Sequence, residues 1–295
     1  MPELPDIEDY LAALRERVDG VVLEGTRVRS FSLLRTFDPP LEDAHGLRVV
    51  GLRRVGKRIV VELEDELFLV LHLMVAGRLR WGEHGAKVPG RIGLAAFDFA
   101  SGTLLLTEAG TKKRASLHVE RGQDALAGHD RGGAEPLALD ADGLAAVLTS
   151  QNRTLKRALT DQHLLAGIGN AFSDEILHAA RLSPVRRTGQ LEHDELVRLH
   201  AAIHDVLTTW TARLRAETGD GFPRDVTAFR DGFAVHGRYG EPCPDCGAPV
   251  QRIRYASNET NYCAGCQTEG RVLADRSLSR LLKDDWPTTL EEVEG

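Results

Sequence analysis

The sequence predicts an α+β protein built from a β-rich N-terminal domain behind a leading helix, a helical middle and a small cysteine-bearing β module. Three observations predict it. Apolar residues Ile7, Leu11, Leu14 and Val18 recur at helical spacing from Leu4, and Gly20 stops the run. From Val21 to about Val119 the pattern changes to short apolar runs punctuated by glycine and acidic turns. All four cysteines fall within 24 residues near the C-terminal end.

Each part has its own signature. VVLEGTRVRS, GLRVVGLRRV, RIVVELEDELFLVLHLM, GLAAFDF and GTLLLTE read as strands, and strands at this spacing form a sandwich or a barrel. A Gly-rich stretch from Gly122 to Pro136 reads as a connection. Beyond it, Gly143–Leu148, Thr154–Thr160, Ala171–Arg181 and Glu192–Glu217 carry i, i+3, i+4 apolar spacing and are predicted helices. The expected organisation is therefore 1–121 as the N-terminal domain, 122–140 as linker and 141–236 as the helical domain. A metal-bound β module at 237–275 and a tail at 276–295 complete it. No internal repeat is present.

At 295 residues with 42% hydrophobic content, the chain can bury two ordinary cores. No apolar run approaches the ~18–20 residues of a membrane span, and the acidic MPELPDIEDY start lacks a signal core. A cytoplasmic location without membrane partners is expected. The net charge of −7 speaks against nucleic acid only in bulk, since phosphates respond to a local basic face. Bases gather at Arg53, Arg54, Lys57 and Arg58, at Lys112, Lys113 and Arg114, and around Arg153, Lys156 and Arg157, while the tail from Asp284 is acidic. Most such clusters are solvated surface, so composition leaves DNA binding open.

Cys243-x2-Cys246, sixteen residues, then Cys263-x2-Cys266 is zinc-ribbon spacing. Each knuckle turns two thiolates toward one ion and two knuckles complete a tetrahedron, so one structural Zn2+ is expected, with no open position for catalysis. Disulfides are the alternative, and they are rare in a cytosolic chain.

Pro2 follows the initiator Met and permits its removal. The exposed secondary α-amine would have a pKa of about 7.7–8.0, against about 10.4 for lysine, so a useful fraction is a neutral nucleophile near pH 7. An MP start alone carries no weight. The wider constellation does: MPELPD at the start, GKR at 56–58, AEPL at 134–137, GIGNAFSDEILHAARLSP at 167–184, HGRYGEPCPDCG at 236–247 and NYCAGCQ at 261–267. With these motifs in this order, the chain resembles the formamidopyrimidine-DNA glycosylase/endonuclease VIII family over nearly its whole length.

The resemblance implies an N-terminal β-sandwich, a helix–two-turn–helix domain and a C-terminal zinc-ribbon hairpin. It also implies a monomer acting on double-stranded DNA that carries a damaged base or an abasic site. Pro2 would be the nucleophile, Glu3 the acid that protonates the sugar, and Lys57 a phosphate ligand beside the lesion. Asn170 in the GIGN turn would bind phosphate, and Gly167 and Gly169 would let backbone N–H groups approach it at a helix start. Lys156 would join the same surface. The implied activity is base excision with AP-lyase action on oxidised bases through a Schiff base. A catalytically silent damage-binding protein, or a glycosylase for bulky or crosslinked lesions, are the alternatives.

Three departures from the family pattern motivate those alternatives. Asn258 stands where a phosphate-gripping arginine is usual, losing charge and bidentate fork; Arg252 and Arg254 are the nearby cations that could replace it. Val75, beside Met74, aligns with the void-filling methionine, and EAGTKKRAS at 108–116 replaces an aromatic-tipped loop. Lys112, Lys113 and Arg114 are then the groups left to reach phosphates or the orphaned base. Asp6 replaces a glutamate and shortens its reach by one methylene.

Overall fold

The computed structural model describes residues 1–255, 258–275 and 287–294. Most of the expected tail, 276–295, lies outside the described residues. The chain divides into two compact units, one comprising Met1–Arg131 with Thr209–Thr227, the other Gly132–Thr208 with Ala228–Gly295.

The first unit is a sandwich, which decides between the two β architectures that the strand pattern left open. Helix α1 (Leu4–Val18) precedes β1 (Leu23–Val28), β2 (Val49–Val55), β3 (Arg58–Leu63), β4 (Leu67–His72), β5 (Gly77–Gly82), β6 (Gly93–Phe99), β7 (Gly102–Glu108) and β8 (Ser116–Arg121). They form two antiparallel four-stranded sheets, ordered β1-β6-β7-β5 and β2-β3-β4-β8. Alternation along β4 sends Leu67, Leu69 and Leu71 into the main core and leaves Phe68 and Val70 on the opposite face. That second face is not bare. Helix α2 (Gln123–Ala127) forms within the stretch expected to be a linker, and its Leu126 packs with Val60, Phe68 and Val70. Ile7, Leu11, Leu14 and Val18 of α1 enter the main core as their spacing predicts.

The second unit holds α3 (Ala141–Thr149), α4 (Leu155–Thr160) and α5 (Asn170–Ala179), followed by α6 (His193–Thr218), whose last residues belong to the first unit. The hairpin β9 (Val250–Arg254) and β10 (Glu259–Cys263) leads into the one-turn helix α7 (Ala264–Gln267), and α8 (Leu290–Glu294) follows. The predicted helix bounds agree within three residues, helped by boundary signals such as the N-cap Asp140, which accepts the Gly143 N–H at 2.7 Å at the start of α3. No helix among the described residues is long and apolar enough to cross a membrane.

Leu71 is fully buried in the sandwich core, so Leu71→Ala should destabilise the protein by roughly 2–5 kcal/mol, read from the urea midpoint.

Candidate functional site

In the first unit the chain start is built into the sandwich. Pro2 is buried, and Glu3 is the N-cap of α1 at 4% exposure. The Glu3 N–H donates to Asp6 Oδ2 at 2.8 Å, and the two residues form a reciprocal capping box. Asp6 thus has a local role that its short side chain performs: it fixes the backbone on which Glu3 and Pro2 are mounted. Lys57, 7% exposed, sits on the β2–β3 turn, which Gly56 makes possible at φ +58°. Burial lowers the pKa of the terminal amine (here that of Met1), with Arg78 and Lys57 pushing the same way and Glu3 and Asp6 opposing. Pro2, Glu3 and Lys57 are therefore electrostatic neighbours.

Two further basic residues belong to this neighbourhood and were not singled out from the sequence. Arg78 on β5 donates to the Val226 carbonyl at 2.6 Å and to that of Gly77 at 2.7 Å. His72 ends β4 directly opposite Arg58. Burial first, then the charges of Arg58, Lys57 and Arg131, push its pKa from 6.5 down to about 4. The sequence signals were local: His72 ends the otherwise apolar run LFLVLH, and Arg78 belongs to the alternation of GRLRWG.

The loop after β7 departs from a simple basic tip. Glu108, buried, accepts the N–H groups of Arg114 at 2.9 Å and Ala115 at 3.1 Å, and Lys113 Nζ folds back onto the Glu108 carbonyl. Lys112 and Arg114 remain exposed. Val75 is exposed at 56%, and its neighbour Met74 has φ +53°.

In the second unit a buried polar network supports a concave basic surface. Asp174, fully buried, receives Lys156 Nζ, His236 Nδ1 at 2.7 Å and the Asn261 N–H at 3.1 Å. Lys156 Nζ also donates to Ser173 Oγ at 2.8 Å and to the Asn170 carbonyl at 2.6 Å. The Lys156 ammonium donates inside the protein and positions the start of α5, and the residue also lines the concavity beside it. Asn170 Nδ2 donates to the Glu259 carbonyl at 2.9 Å. Gly167 takes φ +82°, whereas Gly169 is an extended N-cap. Gln162 clamps the turn through the Gly167 N–H at 2.9 Å and the Ile168 carbonyl at 2.8 Å.

A concavity of about 510 Å3 opens here, lined among others by Asn152, Arg153, Arg157, Asn170, Arg187 and Asn258. Arg252 and Arg254 do not line it. Arg252 lies 4.0 Å over the Tyr239 ring and 3.5 Å from Glu259, an ordinary cation–π placement. The cations beside Asn258 are Arg153, Arg157 and Arg187, brought from α4 and the loops around it. Arg153 is paired with Asp161; Arg157 is exposed.

The four cysteine sulfurs lie within 4.8 Å of one another, with Cys243–Cys266 at 3.8 Å and Cys246–Cys263 at 3.4 Å. A tetrahedron with Zn–S bonds of about 2.3 Å needs S···S edges of about 3.8 Å, so the residues fit one structural Zn2+. His178 of α5 lies 3.3 Å from Cys243 Sγ through Nε2, a support for the knuckle that the cysteine spacing could not reveal.

The comparisons with known proteins agree with this geometry. The formamidopyrimidine-DNA glycosylase N-terminal domain matches residues 1–119, the H2TH domain of the same enzymes 133–216, and the zinc finger found in FPG and IleRS 240–268. The formamidopyrimidine-DNA glycosylase of Moorella thermoacetica is 34% identical over 262 residues, covering 86% of this chain and 95% of that one. An uncharacterised formamidopyrimidine-DNA glycosylase-like protein of Mycobacterium tuberculosis is 42% identical over 151 residues, 51% of this chain and 94% of that one. Lactococcus lactis Fpg in complex with abasic-site DNA superposes with a TM-score of 0.78 at 25% identity, covering 90% and 99% of the two chains. A variant of that enzyme bound to Fapy-dG DNA gives the same score at 26% identity, covering 90% and 100%. A sandwich, a helical H2TH domain and a four-cysteine finger define the class of base-excision DNA glycosylases. The chain belongs to the formamidopyrimidine-DNA glycosylase/endonuclease VIII family.

Two measurements check the site. Asp174→Asn leaves the Lys156 charge buried without its counterion and should cost about 3–5 kcal/mol in chemical denaturation. His72 binds fewer protons folded than unfolded between pH 6.5 and about 4. Its contribution, about 3 kcal/mol, is present above pH 6.5 and is lost as pH falls through that window. His72→Gln should flatten the stability–pH slope between pH 6.5 and 4.

Proposed function

We propose that the chain excises oxidised bases from double-stranded DNA and cleaves the resulting abasic site, with the amine of Pro2 as nucleophile once Met1 is removed. The observation that carries this reading is the chain start: Glu3 and Pro2 are held at the head of α1 beside Lys57. Burial, helped by Arg78 and Lys57 and opposed by Glu3 and Asp6, lowers the pKa of an amine at the chain start, which raises its neutral fraction, and neutral amine is what attacks. The nitrogen lone pair adds at the sugar C1′ while Glu3 gives its proton to the ring oxygen, and the damaged base departs with the bond's electron pair and takes up the proton that the Pro2 nitrogen sheds. Loss of the ring oxygen as a hydroxyl leaves an iminium between Pro2 and C1′. That cation acidifies C2′, and elimination of the 3′ phosphate follows. Water then releases the enzyme.

Lys57 and His72 would hold phosphates flanking the lesion, Lys57 by charge and His72 as a neutral donor. The α5 N-terminus with Gly169 and Asn170 would receive another, where backbone N–H groups and the helix dipole favour an anion. Around Asn258, Arg153, Arg157 and Arg187 would supply the charge that asparagine lacks. Lys112 and Arg114 would reach the duplex from the loop after β7. The protein would act as a monomer on double-stranded DNA.

With Met1 removed, abasic-site DNA and borohydride should give a covalent adduct that Pro2→Gly reduces by at least a hundredfold. A form with Met1 retained should give none, because its proline nitrogen is an amide; adduct mapped to a lysine in that form would overturn the assignment. For phosphate binding, Arg157→Ala should weaken abasic-site DNA affinity about 5–30-fold, about 1–2 kcal/mol, and flatten its salt dependence. Arg252→Ala should change neither in equilibrium titrations at two salt concentrations.

A further inference from the structure

The outer face of the β2-β3-β4-β8 sheet carries a cluster that the repair chemistry leaves unused. His118 and Glu120 are two residues apart on β8 and so project to one face. They stand opposite Val70 and Phe68, at the edge of the apolar patch that Leu126 of α2 covers. The turn after α2, closed by the His129 N–H donating to the Leu126 carbonyl at 3.0 Å, brings a second imidazole back over the strand. Arg58 Nη1 fixes that turn by donating to the His129 carbonyl at 3.2 Å. His129 Nε2 then lies 2.8 Å from Glu120 Oε1, and His118 Nδ1 lies 3.8 Å from the same oxygen. The two rings meet edge to face at 4.6 Å, and the donor atoms of all three residues fall within 4.8 Å of one another.

We propose that His118, Glu120 and His129 form a second metal site, distinct from the cysteine finger, that takes a borderline transition dication such as Ni2+ or Zn2+. Bonds of about 2.1 Å place neighbouring donor atoms about 3.0 Å apart in an octahedron and about 3.4 Å in a tetrahedron. The observed 2.8 and 3.8 Å bracket both values, and the third edge lies within 4.8 Å, so side-chain rotations that draw the two imidazoles together would complete the triangle. Two imidazole nitrogens select this class of ion over Mg2+ and Ca2+, which take oxygen ligands. All three residues are half-buried, so the remaining coordination positions face water. The charges of Arg58 and Arg35 act on His118 and oppose a dication. The site is accordingly far weaker than four thiolates.

The bland alternative is a hydrogen-bonded tie between β8 and the turn after α2, and a titration separates the two. The zinc-loaded full chain is titrated with NiCl2 by calorimetry while its zinc content is followed by elemental analysis. One Ni2+ per chain should bind with the finger zinc retained. His118→Ala and His129→Ala should each lower the Ni2+ affinity at least tenfold, and Glu120→Gln, which keeps the shape and removes the charge, should lower it less. Absence of Ni2+ binding to the unmodified chain up to 200 μM, or equal binding by both histidine variants, overturns the proposal. Should a variant not fold, the unmodified chain still decides. Ni2+ should protect His118 and His129 from diethylpyrocarbonate, mapped by mass spectrometry, and unchanged labelling refutes the site.

Discussion

The second unit depends on one buried carboxylate. Asp174 has no solvent exposure, so its charge must be met from within, and three segments supply the donors: Lys156 from α4, His236 from the segment before the finger and the Asn261 N–H from β10. Each donor fixes a piece of the functional surface. Lys156 holds the Asn170 carbonyl and so the first residue of α5; Asn261 in turn receives the Gly237 N–H at 2.9 Å. The neighbouring Glu175 repeats the device, accepting the N–H groups of Ala234, Val235 and His236 at 2.6, 2.9 and 2.8 Å. Two consecutive carboxylates on one helix thereby anchor a chain segment sixty residues away in sequence.

The first unit uses the same logic on a smaller scale. Asp6 takes the Glu3 N–H, and Glu108 takes two N–H groups of the basic loop. In both places an anion sets backbone geometry beside the groups expected to do chemistry or meet phosphate. Holding such residues through main-chain hydrogen bonds limits the entropy lost when substrate binds. The zinc serves the finger in a comparable way, since a module with few apolar residues gains its folding free energy from four metal–sulfur bonds.

The departure at Asn258 reads differently once the surface is seen. Charge is not concentrated in one guanidinium at the hairpin tip but spread over Arg153, Arg157 and Arg187 around a concavity that Asn258 also lines. Dispersed cations attract a phosphate chain over a wider area than a single fork does, each more weakly, because the Coulomb term falls inversely with distance. They give up the bidentate geometry that fixes one phosphate in place. That exchange favours tolerance of backbone position over a rigid grip on a single group.

The sequence by itself determined the elements and the chemistry that is local in the chain. Helix α1, the helices of the middle, the strand-rich first domain and the four-cysteine site were legible because hydrophobic period, glycine stops and CxxC spacing are short-range signals. The chain-start residues Pro2 and Glu3 were singled out only through the resemblance, which rests on motifs spread over nearly the whole chain. What tertiary structure alone decided was the pairing of distant groups. It closed the strands into two sheets instead of a barrel, turned Lys156 inward to Asp174, and drew Arg252 onto Tyr239. It also set His72 and Arg78 near Lys57 and brought His118, Glu120 and His129 together. A charged residue's spacing in sequence says which face it can occupy. Whether it meets solvent, a phosphate or a buried counterion depends on what the rest of the fold carries to that face.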